Sequence, residues 1–304
     1  MTAELTFAHL TDPHFTVPEF ASWREIANKR ALSVLSWRWK RRHRYKREVF
    51  EAVARDAARH TDTFVLTGDL TQAGLNSECE AARDWLANFA EHRRVCVIPG
   101  NHDSIRLDGQ CAKWETLWTP YMGADAAFPY VKTFGEVAFV GLSSAVPTAP
   151  FLASGRLGQK QLQDLASILR DCRAKGLCRV LLVHHCPVPS LDSPRRGLSD
   201  AAGLCEVVAK TGAELVLHGH NHRWMQHAIE GPSCQVPVIS APSAGSVGMP
   251  DGRYRAGYYL VTVRASERSW KLGVEARQFE TTESSQREHL QFELPKARSE
   301  VSAQ

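Results

Sequence analysis

Five times along the chain, a short run of Val, Leu, Ile or Phe breaks off at Asp, Asn or His. The endings are Asp12-Pro13-His14, Gly68-Asp69, Gly100-Asn101-His102-Asp103, His184-His185 and Gly219-His220-Asn221-His222. The runs before them are Leu5–Leu10, Thr63–Thr67, Val95–Ile98, Arg179–His184 and Glu214–His218. They are too short for helices and suit a pleated surface. Near-continuous apolar strands of this kind are buried on both faces, so helices must cover them.

Four more runs read as strands: Val137–Leu142, Val236–Ser240, Gly257–Val263 and Trp270–Arg277. Helical patterns cover Lys46–His60, Ser77–Glu91, Gly158–Lys175 and Asp200–Thr211, with Gly176 and Gly212 where C-cap glycines belong. The order predicts an α/β fold. No repeat or composition shift divides residues 1–279, which read as one domain, and the polar stretch 280–304 reads as a loosely ordered tail.

A chain that is 43% hydrophobic and 23% charged is not wholly disordered. It has no apolar stretch near the ~20 residues that span a bilayer. MTAELTFAHLTD lacks the basic and apolar regions of a secretory leader, so none is expected. Eight scattered cysteines without a C-x-x-C pair predict reduced thiols in the cytoplasm, not disulfides or a cysteine zinc site.

The net charge of +4 is unevenly spread. Residues 24–47 hold ten Lys/Arg against Glu25, a local +9 that leaves −5 for the rest. This insertion, at about residues 18–47, also carries Trp23, Trp37 and Trp39 with Ile26, Leu32, Val34 and Leu35. Such a mixture suits an interfacial helix over Phe20–Arg47 on an anionic membrane or a lipid-like substrate. A helical pair packed on the domain is the second reading, and a nucleic-acid patch is the least favoured of the three.

In an extended segment, residues i and i+2 point the same way, so Asp12 with His14, and His220 with His222, could each grip one ion. Imidazole, carboxylate and amide oxygens suit Mn, Fe, Zn or Co. Asp12, His14, Asp69, Asn101, His184, His220 and His222 are too many ligands for one tetrahedral ion and suit a two-metal site.

In this order, D-x-H, G-D, G-N-H-D, H and G-H-x-H resemble the calcineurin-like metallophosphoesterase superfamily. His184-His185-Cys186-Pro187 is similar to the H-H-P-P stretch of bacterial cyclic-nucleotide phosphodiesterase-like members, with Cys186 in place of the first proline. The resemblance implies a four-layer αββα sandwich with two facing mixed β-sheets. It implies one metal on Asp12, His14 and His222, another on Asn101, His184 and His220, and Asp69 bridging them beside a hydroxide. It makes His102 a general acid or phosphate contact, oriented by Asp103.

With two divalent ions, two carboxylates and a hydroxide, the site carries a charge of about +1, complementary to one phosphodiester anion. The expected activity is phosphodiester hydrolysis by metal-hydroxide attack. The alternatives are a lipid- or nucleotide-linked pyrophosphate cleaved at a membrane surface, and a nuclease. A non-enzymatic scaffold should have lost ligands, and none of the set is missing. His9, His218 and Cys186 read as packing residues, and His185 should point away from His184. The Ser240–Ser246 loop, with Arg253 and Tyr254 nearby, either lines a substrate cleft or merely connects.

Overall fold

The computed structural model describes residues 4–19, 25, 29–105, 113–123, 127–280 and 283–296. Strands β1 (Glu4–Leu10), β2 (Thr63–Leu66) and β3 (Arg94–Val97) join β10 (Gly257–Ala265), β11 (Ser269–Phe279) and β12 (Ser284–Pro295). They form a six-stranded mixed sheet in the order β12-β11-β10-β1-β2-β3. A second mixed sheet, in the order β4-β5-β6-β7-β9-β8, takes β4 (Tyr130–Phe134), β5 (Val137–Gly141), β6 (Cys178–Leu182), β7 (Leu215–His218), β8 (Met225–Glu230) and β9 (Gln235–Ser240).

The apolar runs dictate the layering. Along β6, Cys178, Val180 and Leu182 join the core shared with the first sheet, whereas Leu181 joins the helix-side core. Phe7 of β1 meets Phe139 of β5 edge-on, with ring centroids 5.0 Å apart. Helices α2 (Arg47–Ala57) and α3 (Asn76–Ala90) add Phe50, Val53, Ala82 and Leu86 to the first core. Helices α4 (Gln159–Ala174) and α5 (Ala201–Thr211) cover the second sheet with Leu165, Leu169, Leu204 and Val208. The result is the expected four-layer αββα sandwich, and Gly212 closes α5 at a φ of 80°.

Three strands escape the sequence pattern. β4, β8 and β12 are all sheet edges. Edge strands face solvent and need no unbroken apolar run. β12 corrects the expected loose tail: residues 284–295 pair antiparallel with β11 over the full strand, although Leu294 alone is buried there. The basic insertion is also structured, with α1 (Lys29–Ser36), a π-helical turn Trp37–Arg41 and a turn Arg42–Arg44. Trp23, Ile26 and Cys111 lie outside the described residues.

Candidate metal centre

The C-terminal ends of β1, β2, β3, β6 and β7 deliver the five motif loops to one place. Asp12 N–H donates to Gly68 O and His14 N–H to Asp69 O, both at 3.0 Å. Asp12 Oδ1 lies 3.1 Å from His222 Nε2, and its Oδ2 accepts from Thr11 Oγ1 at 2.7 Å and His220 N–H at 2.9 Å. One ligand atom each from Asp12, His14, Asp69 and His222 falls within a mutual 4.8 Å, a cluster that could hold a metal ion. Beside it, Asn101 Oδ1 lies 2.9 Å from His220 Nδ1 and 3.2 Å from His184 Nε2. Asp69 Oδ2 stands between the two groups, 3.6 Å from His14 Nε2 and 3.5 Å from His184 Nε2. All seven residues singled out in the sequence converge.

They do not converge by extended-chain alternation. Asp12, His14, Asp69, His220 and His222 have φ of 50°, 45°, 57°, 68° and 53°. Left-handed backbone at non-glycine residues costs about 1–3 kcal/mol each and persists only where the surroundings enforce it. Each D-x-H or H-x-H pair is therefore a strained turn, not a strand end. Close packing enforces it: a Cβ on Gly100 would lie 2.2 Å from Asp69 Oδ1, and one on Gly219 would lie 2.0 Å from Thr11 Oγ1.

Hydrogen bonds fix which histidine atoms face inward. His14 Nδ1 lies 2.9 Å from Thr71 O, and His184 Nδ1 lies 2.7 Å from Thr67 O. A carbonyl only accepts, so each Nδ1 carries the proton and Nε2 is left to the site. Lone pairs of His14 and His184 then face Asp69 Oδ2, acceptors against an acceptor, which a cation between them would satisfy. His220 Nε2 is buried without a partner. The donor set fits the metals that the resemblance implies.

The electrostatics agree. Burial works against both Asp69 and His184, yet without a cation between them the pair favour a proton on His184 Nε2 in the place an ion would take: Asp69 lies well below the carboxylate range, and His184 is raised to about 9. An ion would bind there by displacing that proton and leaving the lone pair to the metal. Burial keeps His14 and His220 well below the ordinary imidazole value. His102 is lowered to about 4 by burial and by Arg41.

The expected contact between Asp103 and His102 is not formed. The buried Asp103 carboxylate is used up by backbone N–H groups of Asp69 (2.8 Å), Gly100 (2.8 Å) and Thr71 (2.9 Å), and by Thr71 Oγ1 at 2.9 Å. Asp103 therefore clamps the loop carrying Asp69. His102 Nδ1 is instead 2.6 Å from Gln72 O, and the backbone N–H of His102 donates to Asp69 Oδ1 at 2.7 Å.

The insertion roofs this centre. Arg30 donates to Gly74 O at 2.7 Å and Ile105 O at 2.9 Å on one side, and Lys29 donates to Thr148 Oγ1 and Leu152 O across the cleft. Arg41 Nη1 lies 2.9 Å from His102 Nε2, and Nη2 lies 3.0 Å from His14 Nε2. Tyr45 OH lies 2.9 Å from His222 Nδ1. Sequence reasoning missed these roles, because only the fold brings residues 29–45 over motifs up to 177 positions away.

It also missed Glu78, whose buried carboxylate accepts from Thr16 Oγ1 and from the N–H groups of Gln72, Ala73 and Leu75, so holding the loop that orients His14 and His102. Glu78 stands at the third position of α3 and bonds back to Leu75 N–H, but Leu75 has no side-chain acceptor, so no S/T-x-x-E capping box could be read there. His185 is buried, with its ring nitrogens on Ser144 Oγ (2.7 Å) and Ala153 O (3.1 Å). His9 and His218 are buried beneath the site, and Cys186 is a buried free thiol. The Ser240–Ser246 loop buttresses the site: Ser243 Oγ donates to Asp12 O at 2.6 Å, and Ala244 N–H donates to Thr11 O. Tyr254 lines the cleft, whereas Arg253 pairs with Asp251 outside it.

Among the described residues, no helix is long and apolar enough to cross a membrane. The model of the calcineurin-like phosphoesterase family matches residues 5–224. A probable cyclic nucleotide phosphodiesterase of Synechococcus sp. is 30% identical over 171 residues, which cover 54% of this chain and 59% of that protein. The match thus spans about three fifths of the relative's length. A dimetal phosphatase from Danio rerio shares the fold at a TM-score of 0.60 and 14% identity, over 96% of this chain and 99% of that one.

Proposed function

The chain belongs to the calcineurin-like phosphoesterase family, and from that premise we propose that this metal-dependent phosphoesterase hydrolyses a phosphodiester at a dinuclear centre. The observation that carries the reading is Asp69 Oδ2, set 3.6 and 3.5 Å from the inward nitrogens of His14 and His184. Asp12, His14 and His222 would hold one ion, and Asn101, His184 and His220 the other, with Asp69 shared. Such ions, of the Mn, Fe, Zn or Co class, would supply Lewis acidity and an activated water.

The protein's own groups do the rest. Thr67 O and Thr71 O hold two imidazoles in one tautomer, and Asp103 fixes the Asp69 turn. His102 and Arg41 stand at the mouth of the centre, where a phosphate oxygen would meet them. His102 acts there as general acid or as a contact to a nonbridging oxygen. The charge of about +1 at a loaded centre matches a single diester anion. The Synechococcus relative points to a cyclic or other small nucleotide diester.

The described cysteines are free thiols, in keeping with a cytoplasmic protein. A second reading, action on a lipid-linked or nucleotide-linked pyrophosphate at the inner membrane face, is favoured by Trp39, which is 79% exposed on the basic insertion. Nucleic acid is the less favoured partner.

Turnover of bis(p-nitrophenyl) phosphate with added Mn, before and after chelation, tests the reading. Activity should need the metal, and Asp69→Ala should lose at least one ion and turnover together. Full metal content with full activity in that variant refutes the site.

A further inference from the structure

The cleft above the candidate centre is far more cationic than a diester requires. It encloses about 520 Å³, and among the described residues lining it Asp69 is the one acid, against Arg41, Arg44, Arg196 and Arg223. None of the four guanidiniums has a carboxylate partner among the described residues. Arg41 spends its hydrogen bonds on His14 and His102. Arg196 reaches only His220 O, at 3.3 Å. Arg223 reaches only Tyr254 OH, at 3.3 Å, with its guanidinium carbon 5.7 Å from that ring's centroid. Arg44 stacks on Tyr254 at 5.0 Å and on Tyr45 at 5.6 Å, and its Nε is buried with no partner at all.

Outside the cleft, Arg94, Arg179, Arg255 and Arg264 pair with Asp62, Glu214, Glu280 and Glu4, while others, such as Arg93 on Phe89 O and Arg287 on Gln278 Oε1, meet neutral partners. What marks the cleft is that, among the described residues, four unpaired guanidiniums line one cavity with a single acid. Converging unpaired guanidiniums held on aromatic faces are suited to a multiply charged, phosphate-bearing ligand. A loaded centre already balances one diester, so this surplus has to be balanced by the part of the substrate that is not cleaved.

We propose that the substrate carries a second phosphoryl group besides the scissile one, held by Arg44, Arg196 and Arg223 while Arg41 and the centre take the bond that breaks. Tyr254, between Arg44 and Arg223, offers a flat face for a ring joining the two phosphates. The inference rests on the phosphodiesterase reading and narrows its substrate class to a small molecule with at least two negative charges, three where the second phosphate is a terminal monoester.

The test compares two chromogenic diesters that differ by one phosphate: thymidine 5′-(p-nitrophenyl phosphate) and the same compound with a 3′-phosphate. Leaving group, sugar and base are shared, so the ratio of kcat/KM reads the extra anion alone. We expect the 3′-phosphate to raise kcat/KM at least about tenfold at low salt, the effect of one charge-assisted contact. The ratio should shrink as ionic strength rises, and Arg44→Gln/Arg223→Gln should collapse it towards 1. A wild-type ratio near or below 1 overturns the inference without recourse to any variant, and so does a ratio that survives the double substitution. Turnover of bis(p-nitrophenyl) phosphate by the wild type keeps the two ideas apart: without it the phosphodiesterase reading fails, and with it a ratio of 1 sinks the second phosphate alone.

Discussion

Arg41 Nη2 donates to His14 Nε2 across 3.0 Å, using the one lone pair that His14 can turn towards the candidate centre. The other nitrogen, Nδ1, is committed to Thr71 O. Guanidinium and metal ion therefore compete for a single atom. The competition also carries a coulombic penalty, because both are cations in a buried setting.

Arg41→Ala should consequently tighten metal binding. Removing one hydrogen bond to His14 is worth about 1.4 kcal/mol, or roughly a tenfold lower Kd for Mn. Calorimetric titration of chelator-stripped wild type and variant measures it. Weaker binding in Arg41→Ala would mean that the arginine supports the ligands instead of competing with them.

The Asp103 carboxylate holds four donors, three of them backbone groups of the loops carrying Asp69 and Gly100. Asparagine would present an N–H₂ to donors and leave at least one of them unpaired. Asp103→Asn should lower metal affinity about 10–100-fold, the usual effect of losing a partner behind the ligands. Elemental analysis after dialysis separates this from His102→Ala, which should keep both ions. Equal metal retention in the two variants would restore Asp103 to the His102 partnership read from sequence.

His102 itself should matter to rate. His102→Ala should lower kcat about 10²-fold. Comparing p-nitrophenyl with alkyl esters tells what was lost. A defect confined to the alkyl ester identifies a proton donor to a poor leaving group. A defect equal for both identifies a contact to a nonbridging oxygen.

The sequence made the interior strands plain and hid the rims. β2, β6 and β7 are buried throughout and β1 is buried over Phe7–Leu10, and their Val-, Leu- and Phe-rich runs leave little other reading. β12 carries its signal only as Leu290, Phe292 and Leu294 among charged neighbours, since backbone pairing with β11, more than side-chain burial, holds it. The site shows the same division. Ligand identities follow from motif chemistry, but the left-handed backbone at Asp12 and His14 does not, because packing from Gly219 and the Ser243 loop imposes it. Arg41 and Tyr45 could not be placed, since the role of each depends on where the insertion folds back.

Asp56 gives the fold a measurable acid response. Its carboxylate, on α2, accepts from Tyr258 OH at 2.7 Å and from Ser284 Oγ, tying the helix to β10 and β12. Burial opposes its ionisation, but the hydrogen bonds from Ser284 and Tyr258 prevail and its pKa is lowered. A lowered folded pKa contributes stability that is fully present above the unfolded value of about 3.9 and is lost as pH falls through the folded value. Urea melts of wild type and Asp56→Asn should differ by about 1–2 kcal/mol at pH 7, and the gap should narrow as pH falls from the unfolded value of about 3.9 through the lower folded value. A gap that does not narrow anywhere below about pH 3.9 would show that the contact is lost for shape, not charge.

The outer face of the insertion poses the remaining question. Arg41 and Tyr45 turn inward, but Trp39 is 79% and Leu35 52% exposed, flanked by exposed Arg38, Lys40 and Arg42. That surface is amphipathic in the sense needed for an anionic headgroup layer, where each basic residue contributes roughly 1 kcal/mol. Wild type should float with anionic vesicles at low salt and not with neutral ones. Binding should fade in high salt, as the Debye length shrinks from about 10 Å at 0.1 M to about 3 Å at 1 M. Arg38→Ser/Lys40→Ser/Arg42→Ser spares the inward residues and should abolish flotation. Trp39→Ser on its own, which leaves every charge in place, should also weaken flotation, because the indole enters the interface. If wild type ignores anionic vesicles altogether, α1 and its π-helical turn serve only as the roof that brings Arg41 to His14, and a freely diffusing diester is the substrate.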